Sequence, residues 1–298
     1  MTTAAGVIPA PGPASSRRLA DFLTLTKPEI TFNVVVTALA GFLAAAHGAV
    51  QVERLLHTLL GTALVAGGAS TLNQWAERDL DAVMRRTVRR PLPAGRLTPR
   101  QGLVFGLLLV AGGTAYLAVS AAPLASTLAA VTAAAYVLVY TPLKRVTSLA
   151  TVVGAVPGAI PPMIGWAAAR GRLDAGAWML FLILFFWQMP HFLSLAALYR
   201  RDYARAGFRV LPVVDPGGGS AARQSVLYTL ALLLVSLVPA TLGIAGAIYF
   251  FGALALGVGF LYYGARFVIA PESHAHAASL FRYSLLYLPA LCLLMALG

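Results

Sequence analysis

The chain has 298 residues, of which 59% are hydrophobic and 11% charged, and its mean hydropathy is +0.79. A soluble domain carries roughly a quarter of charged residues, so most of this chain belongs in lipid, and neither a disordered chain nor a collagen-like repeat fits it. The 22 Lys and Arg outnumber the 10 Asp and Glu, giving a formal charge of +12; in so apolar a protein these cations orient the chain or hold an anionic substrate rather than nucleic acid.

Residues 1–21 are rich in Pro and Ala and have no apolar core of their own, so they read as a disordered cytoplasmic arm and not as a cleavable signal. Residues 22–298 read as one transmembrane domain. A membrane helix needs about 20 mostly apolar residues, and nine stretches qualify: 30–48, 55–77, 102–120, 123–141, 149–169, 175–195, 224–243, 246–267 and 279–297. Only Pro123 separates the third from the fourth, and only Gly243 to Gly246 the seventh from the eighth, but merging either pair would overrun a bilayer. The fold class is therefore all-α, a polytopic bundle of nine transmembrane helices. The single Cys292 lies in the last span and reads as apolar filler. With this division 19 of the 22 cations share one side, leaving Arg54, Arg170 and Arg172 on the other. The positive-inside rule then puts the N-terminus in the cytoplasm and the C-terminus outside. Orientation does not need seven Arg after the second span and five after the sixth, so an anion is expected there.

The second span ends in NQWAERDLDAVMRRTVRRPLPAGR. Asn73, Glu77 and Asp81 recur every four residues, which stacks three oxygen-bearing side chains on one helix face with about 40° of drift at each step. Acids at a membrane edge are costly unless paired or bound to a cation. Hard oxygen ligands suit Mg²⁺, which takes one or two carboxylates and fills its shell with water and phosphate oxygens. Arg85, Arg86, Arg89 and Arg90 supply forks for the rest of a diphosphate; the structural alternative is that the acids merely pair with these arginines. Asp79 points off this face, towards Arg78 or Arg85, and Trp75 reads as an interfacial anchor.

About 120 residues on, the pattern returns. Asp81, Leu92-Pro93 and Arg100-Gln101 correspond to Asp202, Leu211-Pro212 and Arg223-Gln224, which suggests a weak internal four-helix repeat bringing two polar helix ends to one central cavity. The second copy is poorer in acid, with Leu198 and Tyr199 before Asp202, and Arg201 beside it. His191 lies inside the sixth span, where a general base, an iron ligand and a helix-to-helix hydrogen bond are all open; Pro190 before it implies a kink. His47, His57, His274 and His276 read as interfacial. Lys144 and Arg145 follow the fourth span with no acid nearby, and the prolines of GAVPGAIPPMIGW break the fifth among small residues suited to close packing.

These residues resemble a known family. NQWAERDLDAVMRRTVRRPLPAG is similar to the first Asp-rich motif of the intramembrane UbiA-type prenyltransferase superfamily, with Glu77 in place of the middle Asp. More narrowly, ERDLDAVMRRTVRRPL, YTPLKRVTS, GAIPPMIGW, WQMPHF and DYARAGFRVLPVV together resemble the protoheme IX farnesyltransferase (haem O synthase) family, over about residues 22–215. The resemblance implies nine helices around a cavity capped by cytoplasmic loops, and Mg²⁺-dependent transfer of a farnesyl group from farnesyl diphosphate to a vinyl group of haem b. It implies Asn73, Glu77, Asp81 and Asp202 as catalytic and metal residues, and Arg85, Arg86, Arg90, Lys144, Arg145 and Arg201 around diphosphate. His191, Tyr140, Tyr199 and Phe192 would line the haem and prenyl pocket. Haem enters as substrate, haem A synthase as acceptor of the product, and a cell membrane as the setting. The departure at the second motif puts a symmetric two-motif metal site in doubt. The rivals are a relative acting on a quinone precursor or chlorophyllide, and a transporter with an ion at a repeat interface.

Overall fold

In the computed structural model, which describes residues 14–46, 48–215 and 217–297, every regular element is helical. The first half comprises α1 (Ala14–Leu25), α2 (Pro28–Ala46), α3 (Val52–Asp81), α4 (Pro99–Ser120), α5 (Pro123–Ala134), a π-helical turn (Ala135–Tyr140) and α6 (Thr141–Leu143). The second comprises α7 (Ala150–Ala159), α8 (Pro161–Arg170), α9 (Ala175–Leu198), α10 (Arg200–Arg205), α11 (Leu211–Val214), α12 (Gly219–Thr241), α13 (Ala247–Ile269) and α14 (His274–Leu297). Among the described residues nine helices are long and apolar enough to cross a membrane, with α5 to α6 and α7 to α8 each forming one of them. The nine expected spans are all present, with ends displaced by a few residues.

Local chemistry sets the boundaries. Thr98 and Gln101 close a capping box at the start of α4, where Pro99 occupies a first-turn position that needs no N–H. The Asp174 carboxylate accepts from Gly176 N–H to start α9. Pro161 and Pro162 break the fifth span at Ile160, as the sequence suggested. Its small residues then let α8 lie against α2 so closely that a Cβ on Gly41 or Gly165 would collide with the Pro162 or Ala38 carbonyl oxygen. The outside is apolar, with Leu108, Val119, Leu234 and Phe251 exposed.

The helices α9, α12, α13 and α14 pack in a ring, and Tyr249, Phe260, Phe267 and Tyr287 fill the buried core they share with the rest of the bundle. The buried Tyr287 hydroxyl is paired with Ser236 at 2.9 Å. The helix α3 has 30 residues, about 45 Å at 1.5 Å each, against a hydrocarbon core of about 30 Å. That surplus lets its polar last turns stand at the membrane edge.

The expected unstructured arm over 1–21 lies partly outside the described residues. From Ala14 the chain is helical, because Leu25 buries itself on Leu92 and Leu97, Phe22 meets Phe105 edge-on at 4.9 Å, and Asp21 pairs with Arg96 at 2.8 Å. His47 is outside the described residues as well.

Candidate active site

At the end of α3, Asn73, Glu77 and Asp81 are 2%, 5% and 1% exposed, so each must find its partners within the protein. They find cations. The Lys27 ammonium donates to Asn73 Oδ1 at 2.9 Å, Lys144 pairs with Glu77, and the Arg90 guanidinium donates to Asp81 Oδ2 at 2.7 Å. Asn73 and two buried carboxylates on one helix face thus meet three cations brought by segments outside the helix. Asp81 Oδ1 is buried without a hydrogen-bond partner, a cost of about 1–3 kcal/mol or more for a charged group. It is an acceptor in need of a cation.

The arrangement is built from distant parts of the chain. Asn73 Nδ2 donates to Thr141 Oγ1 at 3.1 Å, and that hydroxyl donates in turn to the Tyr136 carbonyl at 2.8 Å. The Thr141 hydroxyl can only accept from Asn73, and Lys27 can only donate, so the Asn73 amide has one possible orientation. The π-helical turn makes this possible: Pro142 has no N–H to give a regular helix, the Thr141 N–H skips back to the Tyr136 carbonyl, and Thr141 is aimed at α3. Lys27 has φ +48°, the left-handed region that side chains avoid, and such strain persists where the surroundings hold it. Here the Asn73 bond and the following Pro28 do so. Burial pushes the Lys27 ammonium down to about 7, the Arg90 cation adds to this, and Glu77 opposes it, with Lys144 and Asp81 making smaller contributions of opposite sign.

The loops close over the acids. The Thr87 hydroxyl donates to the Asp81 carbonyl at 2.8 Å, folding residues 82–90 back so that Arg90 reaches Asp81. The Lys144 ammonium lies 4.8 Å from the Tyr140 ring centre and 5.3 Å from that of Phe208, and the Arg209 N–H donates to the Lys144 carbonyl at 2.8 Å. Phe208 is buried with Met84, Ala196, Ala206 and Val210. The loops after the second, fourth and sixth spans are therefore one packed cap. Burial pushes the Tyr203 phenol in this cap up.

The second motif stands elsewhere. Asp202 pairs with Arg205, three residues along, in a half-open groove of about 690 Å³ lined by Arg85, Tyr199, Arg201, Asp202, Arg205 and Glu272. Arg86 lies over the Tyr199 ring at 5.1 Å. Among the described residues no three His, Cys, Asp or Glu side chains gather closely enough for a metal ion; the structure does not bring Asp202 to Glu77 and Asp81. Arg90 and Lys144 thus stand on the acids, Arg85 and Arg201 in the groove, Arg86 against Tyr199, and Arg145 on the exposed surface. Asp79 is exposed and pairs with Arg78 at 3.5 Å. His57 bonds Tyr116 at 2.6 Å near a span end. Tyr140 is at the cluster, whereas Phe192 lies deeper, 5.3 Å from the His191 ring. Lys27, Thr141 and Phe208 were not expected. The signal for Lys27 was its place directly before Pro28 at the start of the first span.

The UbiA prenyltransferase family model matches residues 34–286. The chain belongs to the UbiA prenyltransferase family. It is 46% identical to a protoheme IX farnesyltransferase of Solibacter usitatus (strain Ellin6076), covering 93% of this chain and 98% of that one. It is 44% identical to the protoheme IX farnesyltransferase of Koribacter versatilis (strain Ellin345), covering 97% and 96%. The fold is that of a digeranylgeranylglyceryl phosphate synthase, with a TM-score of 0.80 at 16% identity over 95% of this chain and 98% of the other. It is also that of a UbiA homologue from Archaeoglobus fulgidus bound to DMAPP and Mg²⁺, with a TM-score of 0.65 at 13% identity over 93% and 100%. As a member of this family the chain is a multi-pass membrane prenyltransferase.

Proposed function

We propose that this prenyltransferase moves the farnesyl group of farnesyl diphosphate onto a vinyl group of haem b, with the Arg-rich face of the bundle in the cytoplasm of a cell whose inner or plasma membrane holds it. The buried file of two carboxylates and three cations at the α3 end carries this reading. The names of its full-length relatives supply the acceptor and the prenyl donor.

The donor set fits Mg²⁺: Asp81 Oδ1 is a buried oxygen with no partner, Glu77 stands one turn away and Asn73 two, and such a site takes one or two carboxylates and shares phosphate oxygens. These residues would hold the ion, with Asp202 reserved for the groove. When bound, Mg²⁺ neutralises the diphosphate and eases its departure. Lys144, Arg90 and Lys27 balance the acids in its absence and present charge to diphosphate oxygens once the acids are engaged. The loop cap keeps water from the site and so strengthens these interactions. The allylic C–O bond breaks with its electron pair going to diphosphate, and the Tyr140 and Phe208 rings beside Lys144 give the carbocation an apolar neighbourhood. The vinyl π pair then forms the C–C bond, and water captures the resulting porphyrin cation with loss of a proton. Hand-over of this hydroxyethylfarnesyl product to haem A synthase is part of the same proposal.

A transporter would place its acids near the bilayer midplane; here they end a span beside arginines. A quinone-type acceptor is disfavoured by the relatives' names. Purified protein incubated with haem b, farnesyl diphosphate and Mg²⁺ should give a porphyrin heavier by a farnesyl group plus a hydroxyl. Unchanged haem together with prenylation of a quinone precursor would overturn the assignment.

A further inference from the structure

Within the apolar interior, α9 and α14 share a polar assembly that diphosphate chemistry does not use. On α9, His191 Nδ1 lies 2.8 Å from Ser284 Oγ on α14. The Ser284 hydroxyl is already committed, donating its one hydrogen to the Phe281 carbonyl at 2.6 Å. It can only accept from the imidazole, so Nδ1 carries the proton and Nε2 the lone pair. The Trp187 indole N–H donates to the Ser284 carbonyl at 2.8 Å, pinning the two helices on either side of the ring. Trp187 stacks on the imidazole at 5.0 Å and 23°, and Phe281 lies against it at 4.9 Å and 34°. Among the described residues Nε2 makes no hydrogen bond.

Its position on the helix says where it points. Leu184 and Leu180, seven and eleven residues before His191, share its side of α9 and line a crevice with Thr37 and Ala40 of α2 and Leu288 of α14. Phe281 is seven residues before Leu288 and shares that side of α14. The imidazole therefore belongs to the inward faces of both helices. Seven residues, about 10 Å of helix, separate it from the end of α9, which leaves it below the level of the loop cap. A fixed Nδ1–H bonded to an oxygen, with Nε2 left without a partner and the ring held between aromatic side chains, is the way proteins prepare a histidine for a metal.

We propose that His191 Nε2 is an axial ligand to the iron of haem b, setting the depth at which the porphyrin's vinyl edge meets the allylic carbon. This rests on the haem reading above and names how that substrate is held. Ser284 acts as a positioning residue, holding the tautomer and the ring plane.

The test compares haem b with iron-free protoporphyrin IX, which has the same ring, vinyl groups and carboxylates and no metal. Both are titrated into purified protein, haem by its Soret band and electron paramagnetic resonance, protoporphyrin by fluorescence. The wild type should bind haem more tightly than protoporphyrin and show a nitrogen-ligated spectrum. His191→Ala should lower haem affinity to the protoporphyrin value, leave protoporphyrin binding unchanged and lose the spectrum, and added imidazole should restore it in His191→Gly. Ser284→Ala should weaken haem binding about ten-fold with protoporphyrin unaffected. Equal losses for the two porphyrins, or an unaltered haem spectrum in His191→Ala, would overturn the ligand assignment. The wild-type spectrum decides the matter even if the variants fold poorly: no nitrogen ligation means no His191 ligand. Farnesyl transfer is read separately by product mass, so a protein that ligates haem and transfers nothing would sink the proposed reaction and leave the ligand standing.

Discussion

The ends of α3 and α9 descend through the same pattern and do opposite things with it. At α3 the three positions four residues apart are Asn73, Glu77 and Asp81, all buried, and their partners come from α2's approach, the loop after α6 and the turn after α3 itself. At α9 the corresponding positions are Ser194, Leu198 and Asp202. Ser194 spends its hydroxyl on the Pro190 carbonyl of its own helix, Leu198 has nothing to offer a cation, and Asp202 is answered by Arg205 one turn on. An acid served locally is a helix end. An acid served by cations from other elements, with one oxygen left over, is a site that folding has paid to assemble.

That contrast can be broken most severely at the acids. Glu77→Gln and Asp81→Asn should each lower kcat/KM for farnesyl transfer by about 10² to 10³, whereas Asp202→Asn should stay within about ten-fold, measured as product formation with saturating haem; equal losses would restore a symmetric two-motif site. Lys144 and Arg145 sharpen it next, being adjacent in sequence and opposite in burial. Lys144→Met should raise the KM for farnesyl diphosphate by about ten- to a hundred-fold, the worth of one charge-assisted hydrogen bond, with Arg145→Met close to wild type in the same assay.

The bundle and one face of the site could be read from the sequence for a simple reason: both depend on spacing within a single segment. Nine apolar runs are nine spans among the described residues, and a period of four aligns Asn73, Glu77 and Asp81 whatever surrounds them. What escaped was everything decided by contact between segments. Lys27 is 46 residues from Asn73 and Thr141 is 68, and a place before Pro28 does not by itself distinguish a lysine that orients a span from one that turns into it through a left-handed φ. The π-helical turn that aims Thr141 follows from its meeting with α3, and Ser284, 93 residues from His191, fixes a tautomer that no motif encodes. The helix over residues 14–21 was not legible because what anchors it lies at its end, where Asp21, Phe22 and Leu25 meet Arg96, Phe105, Leu92 and Leu97 of the folded loop and α4, while Leu19 stays exposed.

Smaller effects refine the same comparison. Thr141→Val leaves Asn73 Nδ2 buried without an acceptor and should cost about 1–3 kcal/mol, seen as a lower unfolding midpoint that Asp202→Asn does not produce. Least of all is a pH effect on the second half. The Ser220 N–H, 2.7 Å from the Asp215 carboxylate, holds that group below the usual carboxylate range. A depressed pKa stabilises the folded form above the unfolded value of about 3.9 and is lost as pH falls through the folded one. Amide exchange at Ser220 should therefore gain extra acceleration only in strong acid, and Asp215→Asn should remove that pH dependence.

We propose that one acidic helix end, at α3, holds the metal and diphosphate. It is tested most directly by calorimetric titration of an unreactive thiolo analogue of farnesyl diphosphate, with and without Mg²⁺, into the wild type, Asp81→Asn and Asp202→Asn. Mg²⁺-dependent binding is expected in the wild type and Asp202→Asn, with its loss in Asp81→Asn. Mg²⁺-dependent binding that survives in Asp81→Asn, or disappears in Asp202→Asn, would contradict it.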